Sequence, residues 1–372
     1  MGKWKTCDLG ELITFQRGYD LPKRKMIVGK YPVVGSNGII GWHNEYTTEA
    51  PSITIGRSGN VGKPYIYYGR SWSHNTTLFI KEYKNTDPVF IYYFLKTLDL
   101  GNYAGGSAVP TLNRNHIHSL KVSVPEAIEE QHKIGEFLRI LDDKIKENVL
   151  INKNLEAQAQ AYFIDLFIAN ANPVWRQGTL SDLGTVVGGG TPSKKHPEYY
   201  SEHGIPWITP KDLSVDKSKF ISHGENDISD LGFSNSSATK IPEGTVLFSS
   251  RAPIGYIAIA SNTITTNQGF KSVIPHTKVG TAFMYFFLKH ALPTIEGMAL
   301  GSTFKEISSS GMKSVPAIIP DNETLHVFNE FCKPLFEQQA VLEAESRKLS
   351  GIRDTLLPKL MSGEIDVSNI NL

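Results

Sequence analysis

The sequence predicts an α+β protein: two similar mixed α/β domains separated by two long helices forming an antiparallel coiled coil, an internal repeat with pseudo-two-fold symmetry. Three observations predict it. A series of short runs occurs twice in the same order. Each copy opens with a segment rich in Gly, Pro, Ser and aromatic residues, and each closes in a charged stretch with helical apolar spacing.

The repeat is read first. Trp4, Leu9 and Leu12 return as Trp175, Leu180 and Leu183, 171 residues on, and the turn ending at Pro22 returns at Pro192, 170 on. Ile55-Gly-Arg-Ser-Gly-Asn-Val-Gly62 faces Phe248-Ser-Ser-Arg-Ala-Pro-Ile-Gly255, and Tyr92-Tyr-Phe-Leu-Lys96 faces Tyr285-Phe-Phe-Leu-Lys289, both at 193. Gly106-Ser107 and Pro125 match Gly301-Ser302 and Pro320 at 195. The offset changes mainly once, so the copies differ chiefly by about twenty extra residues between Pro192 and Phe248. Expected boundaries are residues 1–127 for the first domain, 128–170 for the central helix, 171–322 for the second domain, and 323–372 for the C-terminal helix and tail.

Within the domains, runs such as Pro51-Ser-Ile-Thr-Ile and Gly244-Thr-Val-Leu-Phe lie between turn signals and read as short strands. One helix is expected in each, near Val89–Leu98 and Thr281–Leu292. After Pro125 and Pro320 glycine nearly vanishes and charge rises. In the first helix Ile134, Leu138, Leu141, Ile145, Leu155, Ala159, Tyr162 and Leu166 follow three- and four-residue steps, with Asn148 and Asn152 in mid-seam. In the second, Phe328, Phe331, Leu335, Leu342, Leu349, Ile352 and Leu356 do the same, interrupted by Gln338 and Glu345. Polar seam residues cost stability but fix register, and here they are expected to pair the two helices; the alternative is that each helix packs on its own domain with these groups facing water. Pro334 should kink or delay the second helix. Helices of about forty residues span roughly 60 Å. Paired antiparallel, they would hold two heads apart over half-sites about one DNA turn, ~34 Å, or multiples apart.

Composition bounds the function without choosing it. The 372 residues suffice for two ordinary domains or one large one, with 40% apolar and 20% charged residues. No run of eighteen apolar residues occurs, and Met1-Gly2-Lys3-Trp4-Lys5 lacks the apolar core of a signal peptide. Cys7 and Cys332 alone support neither a disulfide framework nor a four-cysteine zinc site, so a reducing, cytoplasmic location is expected. A net charge of +1 argues against a uniformly basic surface, though local patches remain open.

Several runs resemble the specificity (S, or HsdS) subunits of type I restriction–modification systems. In the first half these are Tyr31-Pro-Val-Val-Gly-Ser-Asn-Gly-Ile-Ile-Gly41, Gly106-Ser-Ala-Val-Pro-Thr-Leu-Asn113 and Glu130-Gln-His-Lys-Ile134 with Leu141-Asp-Asp-Lys-Ile145. In the second they are Gly189-Gly-Thr-Pro-Ser193, Ile205-Pro-Trp-Ile-Thr209 and Leu360-Met-Ser-Gly-Glu-Ile365. The resemblance runs from Trp4 to about Ile365, and its motifs are specific in combination. It implies two target-recognition domains, each reading one half of a split, asymmetric sequence in double-stranded DNA. It further implies helices that space them and dock two adenine methyltransferase (modification) subunits, to which restriction–translocase subunits add. The chain itself would be non-catalytic and bind no cofactor or metal, with S-adenosylmethionine, ATP and Mg2+ used on the partner subunits. Asp321-Asn-Glu-Thr324 departs from the usual Gln-containing opening of the second helix.

The residues themselves agree with a non-catalytic reading. There is no Asn/Asp-Pro-Pro-aromatic run and no Walker motif, and Gly188-Gly-Gly190 is followed by Thr191-Pro192, which breaks the strand–loop–helix of a cofactor loop. A turn packed against strands is the expectation there. His116-Ile-His118 lacks a third metal ligand and reads as an ordinary polar loop, and Ser249-Ser250-Arg251 is not a nucleophile elbow.

Candidate DNA contacts are therefore polar and basic loop residues, because arginine suits guanine O6/N7 and Asn or Gln suits adenine N6/N7. In the first half these are Arg57, Ser58, Asn60 and Lys63 on one turn, with His74 and Asn75 at the next. In the second, Ser250 and Arg251 align with the first turn and Gln268 with Asn75. Arg114, Lys194, Lys195 and Lys211 suit phosphates, which position without specifying. Taken singly, each residue reads first as a solvated or turn-stabilising side chain; the DNA-contact reading belongs to the set. Two other classes stay in view: a stand-alone enzyme, which would methylate or cut DNA without partners, and a coiled-coil adaptor with no nucleic-acid role.

Overall fold

The computed structural model describes residues 3–106, 110–251, 253–301 and 305–367. Residues 107–109 of one family-like motif and Ser302 of one repeat match lie outside the described residues. The chain forms two compact units, one of residues 1–146 with 346–372 and one of residues 147–345. The division runs through both long helices rather than at their ends.

In the first unit, β1 (Trp4–Asp8) leads through one helical turn, α1 (Leu9–Leu12), into β2 (Ile13–Arg17). The turn starts on a capping box between Asp8 and Glu11. The strands β3 (Tyr31–Gly35), β4 (Gly38–His43), β5 (Ser52–Gly56), β6 (Pro64–Tyr67), β7 (Trp72–Ser73) and β8 (Thr77–Tyr83) follow. They form an antiparallel sheet of order β2-β8-β5-β6 and a smaller one of order β4-β3-β7. Helix α2 (Pro88–Lys96) begins where the Asp87 carboxylate accepts the Phe90 N–H at 2.8 Å, and Pro88 fills the first position, which needs no donor. Its Phe90, Ile91, Phe94 and Leu95 pack into a core with Phe15, Ile53 and Ile55. After β9 (Ala104–Gly105), β10 (Thr111–Leu112) and α3 (Arg114–His118), β11 (Lys121–Pro125) returns to β1, Trp4 facing Pro125. Then α4 (Ile128–Ile164) begins.

The second unit repeats the plan. β12 (Arg176–Thr179), α5 (Leu180–Leu183) and β13 (Gly184–Gly188) correspond to β1, α1 and β2. The stretch that follows, about twenty residues longer than its counterpart, holds β14 (Tyr200–Ser201), β15 (Ile205–Ile208), α6 (Pro210–Val215), β16 (Phe220–Ile221), β17 (Asn226–Ile228) and α7 (Asp230–Ser234). The main sheet resumes with β18 (Val246–Ser250) and β19 (Ile254–Ala260) and, after β20 (Thr265–Thr266), which pairs in parallel with β15 in a separate four-stranded sheet, with β21 (Lys271–Pro275). Its order, β13-β21-β18-β19-β16, is that of the first unit with one edge strand added. Helix α8 (Thr281–Met298) continues past Pro293, six residues beyond the expected Leu292. After it come α9 (Ser309–Lys313), β22 (Pro316–Ile319) paired with β12, and α10 (Asn322–Met361).

One close approach recurs in both units. A Cβ at Gly18 would lie 2.1 Å from the His74 carbonyl oxygen, and one at Gly189, 171 residues on, 2.2 Å from those of Thr266 and Asn267. The glycines at these turns let two backbones touch.

Both helices contribute to each unit. In the first, Leu138 is buried with Leu360, and Leu356 and Leu357 pack against the same core; Arg353 Nη1 meets Asp142 Oδ1 at 2.5 Å. In the second, Asn148 Nδ2 donates to Glu345 Oε2 at 2.7 Å, Asn152 and Gln339 exchange hydrogen bonds with each other's backbone carbonyls, and the Tyr162 and Phe331 ring centroids are 4.6 Å apart. Numbers rise on α4 as they fall on α10, so the pairing is antiparallel. Leu141, Ile145, Leu155, Leu335 and Leu349 are half-buried and Leu342 is buried.

The expected seam needs three corrections. Gln338 is exposed and Gln339, 3% exposed, takes its place, a three-residue step from Leu342 where four had been counted. Ile352 is 37% exposed and Arg353 turns inward instead. Pro334 neither delays nor interrupts α10, which starts twelve residues earlier and runs unbroken.

Candidate nucleic-acid interface

The first unit carries an open cavity of about 730 Å³ where three backbone segments converge. Arg17 ends β2, Arg57 follows β5, and Arg114 opens α3, whose N-terminus Asn113 caps through the Asn115 N–H at 3.0 Å. Arg57 is held by its own backbone: its N–H donates to Thr76 at 2.8 Å and its carbonyl accepts the Leu112 N–H at 2.9 Å. Gln16, Thr111, Asn113 and His116 complete the polar lining, and among the described residues no carboxylate lines it. Burial, then the neighbouring Arg17, pull the Arg57 guanidinium below its ordinary value. Like charges left uncompensated in a concave site make a ready place for an anion or an acceptor-rich edge.

The second unit carries a smaller cavity, about 330 Å³, with a different lining. Asn226, Asn267, Gln268 and Thr191 give it amide and hydroxyl chemistry, and Lys194 and Lys211 add charge. Part of that charge is already matched, because Lys211 Nζ meets Glu225 Oε2 at 2.6 Å. Asp212 is occupied by the Thr209 and Glu225 backbone N–H groups at 2.7 and 2.9 Å. Thr191 donates to Gln268.

The repeat places the two cavities' residues on one scale. The Ser58–Thr111 bridge of the first unit returns as Arg251–Glu306, and the Leu112-to-Arg57 bond returns as Ile307 to Ser250 at 3.1 Å. Arg17, Arg57 and Arg114 thus correspond to Gly188, Ser250 and Ser309, and Thr111 to Glu306. Glu306 lies 3.5 Å from Arg251 and 3.7 Å from Lys271. Among the described residues the arginine concavity has no counterpart in the second unit.

Of the residues singled out by sequence, Arg57 and Arg114 share the first cavity, and Lys194, Lys211 and Gln268 share the second. Ser58 is half-buried; Asn60 donates to the Tyr65 hydroxyl at 3.3 Å, and the Lys63 ammonium lies 5.9 Å from the same ring. His74 Nδ1 pairs with Thr76 Oγ1 at 3.2 Å and Asn75 with Asp20, so both brace their turn. Lys195 is exposed. Ser250 must be corrected: it is fully buried, its hydroxyl donating to the Gly269 carbonyl at 3.0 Å, so it faces no ligand. His116-Ile-His118 is helical rather than a loop. His118 Nε2 accepts the Phe15 N–H at 2.9 Å, and burial, then Arg114 and Lys84, lower its pKa. Among the described residues no cluster of three His, Cys, Asp or Glu could hold a metal ion, and no helix is long and apolar enough to cross a membrane.

Arg17, Gln16 and Asn267 were not found by sequence. Arg17 precedes the Gly18 turn at the position of Gly188, a signal available only after the repeat is aligned residue by residue. The repeated Tyr-aromatic-Phe-Leu-Lys run serves the frame. In the first unit Tyr93 donates to Asp142 at 2.7 Å with Lys96 at 3.8 Å. In the second, Tyr285 and Lys289 reach Glu156 at 3.0 and 2.6 Å. Both acids lie on α4.

A family model described as type I restriction modification DNA specificity domain matches residues 1–157 and 173–349. The type I restriction enzyme MjaIX specificity subunit of Methanocaldococcus jannaschii is 38% identical over 178 residues, a match spanning 45% of this chain and only 41% of that protein. The HindI specificity subunit of Haemophilus influenzae is 25% identical over 359 residues, covering 75% of this chain and 77% of the relative. A crystal structure of a type I restriction-modification system S subunit from M. genitalium shares the fold at a TM-score of 0.69 and 17% identity, covering 96% of each chain. With one matched segment in each repeat and most of the chain taken in, the protein belongs to the type I restriction modification DNA specificity domain family.

Proposed function

We propose that the chain is the specificity subunit of a type I restriction–modification enzyme, reading a bipartite, asymmetric site in double-stranded DNA with one unit per half-site. The observation that carries this reading is the duplicated fold whose two copies present different polar cavities. Arginines in an uncompensated concavity suit guanine O6/N7 or phosphate, whereas the amides of the second cavity suit adenine N6/N7. Arg57 and Arg17 would read bases or phosphates in the first half, with Arg114 on the backbone. Gln268 and Asn267 would read the second half, with Lys194 and Lys195 on phosphates. The paired helices would dock two methyltransferase subunits and, through them, the restriction subunits, in the cytoplasm. S-adenosylmethionine, ATP and Mg2+ would then be used on those partners while this chain performs no chemistry.

Selection of duplexes from a random-sequence pool by the full chain with its methyltransferase partners tests the reading. Two fixed blocks separated by an unspecified spacer are expected. A single uninterrupted block, or no enrichment, would overturn it.

A further inference from the structure

A second feature of the first unit lies outside both the core and the arginine cavity. Between Asp20 and Glu45 the chain has no acidic residue, and Lys23, Arg24, Lys25 and Lys30 bracket the apolar run Met26-Ile27-Val28. Val28 is 93% exposed and Ile27 61%, the apolar crown of a basic loop.

The loop is built to hold that crown outward. The Lys25 and Met26 N–H groups close a tight turn on the Pro22 and Lys23 carbonyls at 2.8 and 3.1 Å. The Ile27 N–H donates to His43 Nδ1 at 3.0 Å. A Cβ at Gly29 would lie 2.3 Å from the Asn44 Cα, and one at Gly41 2.8 Å from the Met26 sulfur, so both sides of the loop press on the strand behind it. A braced β-branched tip loses little conformational entropy when it is buried by a partner.

Charge decides which partner. A polyanion matches four cations with no intervening carboxylate, and apolar side chains flanked by Lys and Arg are the wedges that enter the narrow minor groove and unstack a base step. Position agrees. β3 runs from this loop to Ser36, whose hydroxyl lies 3.1 Å from where a Gly59 Cβ would stand, on the turn that carries Arg57. Five strand residues cover ~17 Å, about half a turn of duplex.

We propose that the loop Lys23–Lys30 is a minor-groove wedge: Ile27 and Val28 enter between base pairs, the four cations lie on flanking phosphates, and the duplex kinks beside the half-site read by the first unit. This rests on the DNA-reading function proposed above. The test uses the full chain and the duplex recovered by selection, with 2-aminopurine placed at successive steps across and beside each half-site. The wild type brightens one step near the first half-site several-fold. Ile27→Ser with Val28→Ser abolishes the brightening and leaves the slope of log K on log salt unchanged. Replacing Lys23, Arg24, Lys25 and Lys30 by Gln flattens that slope by up to about 3.6, at roughly 0.9 per phosphate contact. If the wild type binds the selected duplex and no step brightens, the wedge is wrong and the DNA-reading function stands. If no sequence is enriched, that function fails and the wedge with it. Binding of phosphatidylserine vesicles that is lost in the serine variant, with duplex binding unchanged, would reassign the loop to lipid and overturn the proposal.

Discussion

Glu156→Gln is the most informative single change in the frame of the second unit. Glu156 sits on α4 and accepts from Lys219 at 2.5 Å, Lys289 at 2.6 Å and Tyr285 at 3.0 Å. Lys219 has a side chain only 6% exposed, and its ammonium lies 3.6 Å from the Phe336 ring centroid. Burial pushes Lys219 down to about 8, with Glu156 opposing. Burial also resists ionisation of Glu156, but the Lys219 and Lys289 ammonium groups outweigh it and hold the carboxyl below its usual range. Removing the carboxylate leaves Lys289, which is 30% exposed, free to find water at a cost of ~0.2–1 kcal/mol. Lys219 cannot do so, and breaking a buried pair by removing one partner costs about 3–5 kcal/mol, eased here by the Glu343 carboxylate, which also favours the charged ammonium. Lys219 keeps Gln339 Oε1 at 2.8 Å and its ring contacts, which puts the loss near the lower bound, ~3 kcal/mol. For a folding unit of this size that is roughly 6–12 °C in Tm. Thermal and urea unfolding of Glu156→Gln, Lys219→Met and the double variant measure it. Replacing both partners should recover to within about 1 kcal/mol of the parent. A loss below ~1 kcal/mol in Glu156→Gln, or a double variant no better than the single, would refute the reasoning.

The same group sets a pH dependence. Glu156 and Asp142 are both held below their ordinary values of 4.5 and 3.8, Asp142 by Arg353, Tyr93 and Lys96 against the pull of burial. Their contribution is present above those values and is lost as pH falls through the folded ones, so unfolding titrations should show acid lability that Glu156→Gln reduces. Arg57→Gln should weaken binding of the selected duplex about 5- to 150-fold, the equivalent of ~1–3 kcal/mol, and relax preference at one position; an equal loss on all sequences would assign it to phosphate. Gly189→Ala forces a Cβ to 2.2 Å from two carbonyl oxygens and should cost about 1–3 kcal/mol in denaturant unfolding, whereas exposed Gly188 tolerates alanine.

Much of this was legible because its signals are local. Glycines that allow backbone contact and aromatic-Leu-Lys runs recur in the same order, 171 and 193 residues on, and each repeats a structural role. The helix seam was legible to within one residue: Gln338 and Gln339 are adjacent alternatives at i−4 and i−3 from Leu342, and only packing chooses between them. Asp321 caps α10 through the Thr324 N–H at 2.8 Å, whereas buried Gln131 in the first turn of α4 ties Thr86, Asp87 and Pro125 together. Burial was not legible, since aligning Arg57 with Ser250 equates backbone positions while one side chain reaches solvent and the other fills the core. The arginine cavity depends on two strand ends and a helix start distant in sequence, which no single motif reports.

Exchange of residues 171–322 for the corresponding segment of a relative with a different site tests the central claim most directly. Methylated adenines mapped across the genome of cells carrying the exchanged chain with its partner subunits should show one half of the recognised sequence replaced and the other unchanged. Both halves changing together, or neither, would contradict one unit per half-site.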